Sequence, residues 1–328
     1  MPYSFVIDSP KALPTIDLGP FLKPENFSND ERKSGLQLIR QACLNHGFFI
    51  VTGHGIPRHL QEQILEQARL FFNLPSGEKE RLSEKISFGA SHRGYQAVRG
   101  EALQNDKPPD LKEGFQMGVE KDPSHPDCLA KRMLTGPNVW PEALGLSFSR
   151  CMEQYFDAMR NLQDEMMRIV ALTLNVDFDK TFGAFCDDSL RGLRLLHYPP
   201  QPDETLGAGA HTDFGALTLL LTDGVAGLQI YEDGNWMDVT TEPGTYIVNL
   251  GDMMKQMTAG LYKSSLHRVI NKSGVSRYSV PCFLDGNLDF AIRPVVEGPD
   301  TVQDELTVEQ HMMERFGSAR DRVNGEVV

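Results

Sequence analysis

Seven short apolar runs decide the fold: LRLLHY at 193–198, ALTLLL at 216–221, GLQIY at 227–231, TYIVNL at 245–250, LHRVI at 266–270, YSVPCFL at 278–284 and LDFAI at 288–292. Each is of strand length, and the turn pairs Asp233-Gly234, Pro243-Gly244, Ser273-Gly274 and Asp285-Gly286 punctuate them. Seven or eight strands at this spacing predict a mainly β core, a sandwich or jelly roll, from about residue 190 to about 292.

Working outward from that core, the rhythm changes to helical. Leu36, Ile39, Ala42 and Cys43 recur at helix spacing between Asn29 and His46, with Asn29 or Asp30 as the cap and Gly47 as the stop. A strand, Phe48 to Val51, follows, then a helix from Pro57 to Phe72. From Phe88 to Gly118 neither period holds, which reads as a long loop or lid. The stretch Pro141–Leu174 carries Phe148, Met152, Tyr155, Phe156, Met159, Leu162, Met166 and Ile169 on one face, as a helix backing the core would. A last helix is expected near Thr307 to Ala319. The expected architecture is α+β: a helical region over 1–135 with the lid loop, then backing helix, β core and closing helix over 136–328, all one integrated unit.

Bulk properties narrow the function. The chain has 328 residues, 40% hydrophobic and 23% charged, with no apolar run near the ~20 residues of a membrane helix. A net charge of −13 argues against nucleic acid and anionic membranes as partners. The opening residues lack a basic-then-apolar leader, so the cytoplasm is the expected location. Five scattered cysteines without a CxxC spacing read as reduced thiols rather than a disulfide framework or zinc site.

The chemistry starts at His211-Thr212-Asp213. Residues two apart on a strand share a face, so an imidazole and a carboxylate point together. With His267, in another run of the same β region, they make the two-histidine, one-carboxylate set that leaves positions open on Fe(II). Those positions suit a bidentate 2-oxo acid and O2. Arg277-Tyr278-Ser279 repeats the two-residue geometry, pairing a guanidinium fork with a hydroxyl as a carboxylate requires.

The chain resembles the iron(II)/2-oxoglutarate-dependent dioxygenases of the isopenicillin N synthase-like branch. The resemblance is carried by Leu13 to Leu18, His46-Gly47-Phe48-Phe49, Gly53 to Ile56, Gly136 to Pro141, His197-Tyr198-Pro199-Pro200, His211-Thr212-Asp213, Asn249-Leu250-Gly251-Asp252, Tyr262 to Val269 and Arg277-Tyr278-Ser279. It implies a double-stranded β-helix, iron on His211, Asp213 and His267, and 2-oxoglutarate held by Arg277 and Ser279 with Tyr198 beside it. Leu196 departs from the family, where many members carry Asn, so no polar cosubstrate contact is assigned there. The family's pocket position implies a substrate wall of Phe88, Arg93, Tyr95, Arg99, Phe115 and Met117 from the loop, with Phe214 and Phe283 from the core. A partly apolar small molecule with an anionic or carbonyl handle would suit it, in keeping with specialised metabolism.

Other residues read as structural. His54 sets a loop, His46 caps a helix end, Met253, Met254 and Met257 pack, and Glu101, Asp106, Asp110 and Glu113 form a solvated face. Two other functions fit part of the pattern. An oxidase of the same fold would use no 2-oxo acid. A zinc hydrolase, or a silent binding module, would share the ligand set, but no general base is evident for the hydrolase.

Overall fold

The computed structural model describes residues 12–104, 107–200, 206–300 and 305–324, with side chains up to 316. The opening residues and Asp106 lie outside them. Twelve strands are present among the described residues: β1 (Thr15–Asp17), β2 (Phe48–Thr52), β3 (Gly94–Gln96), β4 (Glu113–Gly118), β5 (Leu190–Tyr198), β6 (Ala208–His211), β7 (Leu217–Thr222), β8 (Leu228–Glu232), β9 (Asn235–Asp238), β10 (Tyr246–Leu250), β11 (His267–Val269) and β12 (Arg277–Gly286). They form an eight-stranded sheet, ordered β1-β2-β10-β7-β12-β5-β4-β3, and a four-stranded sheet, β6-β11-β8-β9. This is the mainly β core with a helical N-terminal region that the apolar runs predict.

The helices begin where local chemistry permits. Helix Asn29–Asn45 is capped by Ser28, one residue before the expected cap. Its hydroxyl accepts from Glu31 N at 3.2 Å while Glu31 Oε2 accepts from Ser28 N at 2.8 Å. Gly47 ends it at φ +66°, where a Cβ would fall 2.2 Å from Lys263 O. Helix Arg58–Phe72 matches its expected span. The long helix Gly145–Leu174 starts four residues after Pro141, because Glu142–Leu144 forms a 3-10 turn first. The closing helix runs Val308–Asn324.

Two expectations need correction. The 88–118 segment is not a plain loop: β3 and β4 lie within it, and β4 pairs with β5 to extend the large sheet. A three-residue strand and a strand flanked by glycines, EGFQMG, are too short and too irregular to show a period. Among the described residues LDFAI makes only one bridge, Ala291 to Thr307, because Phe290 N turns back to Asn287 O.

The large sheet has two unlike faces, as strand alternation requires. Phe115, Met117, Leu193, Leu195, Val280, Cys282 and Leu219 bury one face beneath the long helix and helix Arg58–Phe72. Phe115 sits with Phe71 and Phe148 in a ring cluster, centroids 4.5 and 5.6 Å away. Alternate residues of the same strands turn to a cavity between the sheets: Arg277, Ser279, Pro281 and Phe283 from β12, and Gly192, Arg194, Leu196 and Tyr198 from β5. One row of directly opposed residues crosses six strands on this face: Phe48, Asn249, Thr218, Phe283, Gly192, Gly118.

Of the acidic residues assigned to a solvated face, Asp110 and Glu113 are buried instead and Glu101 is partly buried. Glu113 is 6% exposed; it accepts from Lys79 Nζ at 2.8 Å and Tyr95 OH at 2.7 Å, and its other oxygen lies 2.8 Å from His197 Nδ1. Asp110 and Glu101 both engage the buried Lys112. Their cationic partners are remote in sequence or hidden by the fold, so polarity alone suggested solvent.

Candidate metal and cosubstrate site

His211 ends β6, and His267 opens β11 directly opposite it. Asp213 lies just past β6, in the bend before β7, so the strand does not itself carry both members of His-x-Asp. They converge all the same. Asp213 Oδ1 lies 3.7 Å from His211 Nε2 and 3.5 Å from His267 Nε2, and the three ligand atoms fall within 4.8 Å of one another.

Each side chain is held by the atom that faces away from this point. His211 Nδ1 donates to Gly209 O at 2.7 Å and His267 Nδ1 to Ser265 O at 3.1 Å. A carbonyl can only accept, so both protons sit on Nδ1 and both Nε2 lone pairs are free. Asp213 Oδ2 accepts from Thr218 Oγ1 at 2.5 Å and Asn249 Nδ2 at 2.6 Å, leaving Oδ1 for the shared point. Thr218 and Asn249 are opposed residues of β7 and β10, so the sheet register itself supplies this hold. Around a six-coordinate ion with bonds of ~2.1 Å, adjacent ligand atoms stand ~3 Å apart, so these groups fit a small divalent metal after a slight inward movement.

Charge couples the three groups: burial would lower the His267 imidazole, but Asp213 raises it, favouring a proton that a bound cation would displace. Burial, aided by the neighbouring His267, pushes the His211 imidazole down to about 3, which keeps it a neutral donor. Burial alone would raise Asp213, yet the two imidazoles and Asn249 hold it well below the carboxylate range.

Arg277 and Ser279 are each 1% exposed and line the same cavity. Arg277 Nε donates to Val225 O at 3.1 Å, its guanidinium lies 5.0 Å from the Tyr198 ring centre, and its Nη1 has no partner among the described residues. An unmet donor on a buried guanidinium fits an absent carboxylate. Leu196, opposite Ser279, adds an apolar wall there, as does Leu220.

Of the eight residues expected to wall the substrate, the structure brings three to the cavity: Arg93, Phe214 and Phe283. Tyr95, Phe115 and Met117 do not line it. On β4 the cavity face belongs to Gln116, so its neighbours Phe115 and Met117 turn into the core, while the Tyr95 hydroxyl binds Glu113. Phe88 is 40% exposed and Arg99 is exposed, both away from the cavity.

Sequence reasoning missed several lining groups. Lys112, Glu101 and Arg194 form a buried ionic cluster on the wall, and Asp110 Oδ1 accepts from Gly209 N at 2.8 Å, tying this segment to the strand that bears His211. Asn249 carried one signal, a polar residue within an otherwise apolar run. Met312 and Phe316 of the closing helix also line the cavity. The structural readings of other residues agree with the geometry: His54 bridges Ile56 N and Gly244 O, and Met253, Met254 and Met257 are fully buried. His46 caps its helix through the backbone, but its ring meets Glu232 at 2.5 Å.

Known proteins match over nearly the whole length. A model of the N-terminal region of non-haem dioxygenases of morphine synthesis matches residues 13–143, and one of the 2OG-Fe(II) oxygenase superfamily matches 190–286. The 2-oxoglutarate-dependent dioxygenase citB of Monascus ruber is 41% identical over 317 residues, 92% of this chain and 94% of that protein. Clavatol oxidase claD of Penicillium crustosum is 36% identical over 329 residues, covering 93% and 95%. A full-length Neurospora crassa protein, crystallised in complex with alpha-KG, superposes with a TM-score of 0.81 at 26% identity, covering 95% of this chain and 98% of that one.

Proposed function

Since the chain belongs to the iron(II)/2-oxoglutarate-dependent oxygenase family, we propose that His211, Asp213 and His267 hold its iron and that Arg277, Ser279 and Tyr198 hold its cosubstrate. The protein is a non-haem dioxygenase that oxidises a small organic molecule, using Fe(II), 2-oxoglutarate and O2. With these bound, the centre couples oxidation of a substrate C–H bond to conversion of 2-oxoglutarate into succinate and CO2.

The observation that carries the residue assignment is the engagement of every outward-facing atom of the triad, which leaves two Nε2 atoms and one Oδ1 converging and otherwise unused. Around it the chain's own groups divide the work. Arg277 presents its unmet Nη1 to the distal carboxylate, and the Ser279 hydroxyl donates beside it. Leu196 and Leu220 exclude water from the chain between. Phe214 and Phe283 offer ring faces to the substrate.

Three coarser points complete the reading. The regions 1–135 and 136–328 act as one unit, since β2, β3 and β4 join the same sheet as the core strands. No helix among the described residues is long and apolar enough to cross a membrane; a charge of −13 disfavours nucleic acid and anionic membranes as partners, and we place the enzyme in the cytoplasm without an obligate protein partner. Its substrate belongs to specialised metabolism, as the clavatol of a relative's name suggests.

The test is anaerobic reconstitution. Fe(II) with 2-oxoglutarate is expected to give a weak visible charge-transfer band in the wild type and none in His267→Ala; a band that survives this change refutes the assignment.

A further inference from the structure

Arg93 stands apart from the other cations of the cavity wall. Its side chain is 2% exposed, yet no carboxylate among the described residues pairs with it. Nη2 donates to Leu134 O at 2.7 Å, and Nε has no partner. Apart from Arg277, assigned above to the cosubstrate, each other cation on that wall is engaged: Arg191 by Asp164, Lys112 by Asp110 and Glu101, Arg194 by Gln96 and Glu101. The acids of the small recess behind Arg93, Asp127, Asp188 and Asp289, are taken by Lys121 and Arg132. Burial pulls the Arg93 guanidinium down to about 10, although the charge of Glu120 offsets part of that shift.

The fold nevertheless builds a seat for it. A Cβ on Gly118 would lie 2.2 Å from both Nη atoms, so the guanidinium rests on bare backbone. Gly118 ends the row that begins under the triad, and Gly192, the next residue inward, leaves the floor between Arg93 and Phe283 without side chains. A second path of rings runs above. Phe214, next to Asp213, meets Phe316 at 5.6 Å, and Phe316 stacks on His92, the neighbour of Arg93, at 6.5 Å.

Resting on the function proposed above, we propose that Arg93 binds an anionic group of the substrate, a carboxylate or phenolate on an aromatic skeleton, and so sets which carbon faces the iron. Three strand spacings separate Thr218, which touches Asp213, from Gly118, ~14 Å along the sheet. That span accommodates a one- or two-ring acid lying across the glycine floor between Phe283 and the ring path. Its anion supplies the charge that the protein withholds from Arg93, and its flat body fills the aromatic walls.

The experiment uses the protein loaded anaerobically with Fe(II) and 2-oxoglutarate. Two acids, 4-methylbenzoate and 6-methyl-2-naphthoate, are titrated by calorimetry beside their uncharged carboxamides. At least one acid is expected to bind ~10- to 100-fold tighter than its amide, the value of a charge-assisted pair in a dry site. Arg93→Met should erase that preference, Arg93→Lys should keep part of it, and Gly118→Ala, which displaces the guanidinium without removing it, should weaken it. The melting temperature of Arg93→Met is expected to hold or rise, because an unpaired buried cation is removed. Overturning results are an acid no better than its amide in the wild type, a preference that survives Arg93→Met, or a marked loss of stability in that variant, which would make Arg93 a structural residue. Succinate released from 2-oxoglutarate on admitting O2 is followed in the same samples. Without it the function itself fails; with it but without acid preference, only the anion site fails.

Discussion

Replacing Asn249 by leucine or Thr218 by valine removes a donor from Asp213 Oδ2 while keeping roughly the same volume. Both donors are short, 2.6 and 2.5 Å, and both end on a buried carboxylate, where such a bond is worth ~1.5–3 kcal/mol. Part of that is lost equally with and without metal and will appear as stability. The remainder is specific to the metal-bound state, because a carboxylate bound through Oδ1 must keep its plane fixed, and the partner on Oδ2 fixes it. Partners of this kind contribute ~10- to 100-fold in metal affinity, ~1.4–2.7 kcal/mol each. Since both bonds share one oxygen, the double variant should fall short of the sum. The assay is anaerobic titration of the metal-free protein with Fe(II) or Co(II) against a competing chelator, with the melting temperature recorded alongside. If both single variants bind metal within ~2-fold of the wild type while Asp213→Ala abolishes binding, the outer hold described here is wrong.

Arg277→Met should raise the 2-oxoglutarate KM by ~100-fold or more, with iron affinity unchanged, since the guanidinium's charge-assisted contact to a carboxylate is lost; steady-state succinate formation measures it. Glu113→Gln strands Lys79, 9% exposed, without its carboxylate and should cost ~3–5 kcal/mol in denaturant unfolding. Burial would raise Glu113, but His197, Lys79 and Tyr95 together hold it below its usual value of 4.5. Its stabilisation is therefore complete above that value and lost as pH falls through the lower folded-state value, so the gap between wild type and Glu113→Gln should narrow on acidification below ~4.5 in melting curves. Ser28→Ala breaks the capping box and should cost ~1 kcal/mol without touching metal binding.

The helices were legible because a 3.6-residue period is a local property: Phe148, Met152, Tyr155 and Met159 announce one buried stripe whatever they pack against. The proposed triad and Arg-x-Ser pair could be nominated from sequence because their chemistry resides in residue type and motif. The sheet faces of β4 were not. The family's pocket position implied that Phe115 and Met117 line the pocket, yet the pairing of β4 with β5 puts Gln116 on the cavity face and both apolar neighbours in the core. The burial of Asp110 and Glu113 was equally hidden, since a charged residue reads as solvated until its partner is known. Lys79 lies 34 residues from Glu113 in sequence.

By itself, then, the order of residues determined the β core, the backing helix and the class of chemistry, and it nominated the ligand set proposed above. Only the tertiary structure decided that Asn249 and Thr218 grip the far oxygen of Asp213, that Arg277 keeps a donor unmet, and that Arg93 sits buried on Gly118 without an ion-paired carboxylate among the described residues. The first group depends on periodicity and residue type, which neighbours in sequence express directly. The second depends on the register between strands far apart in the chain, and a slip of one residue would have reversed every one of these contacts.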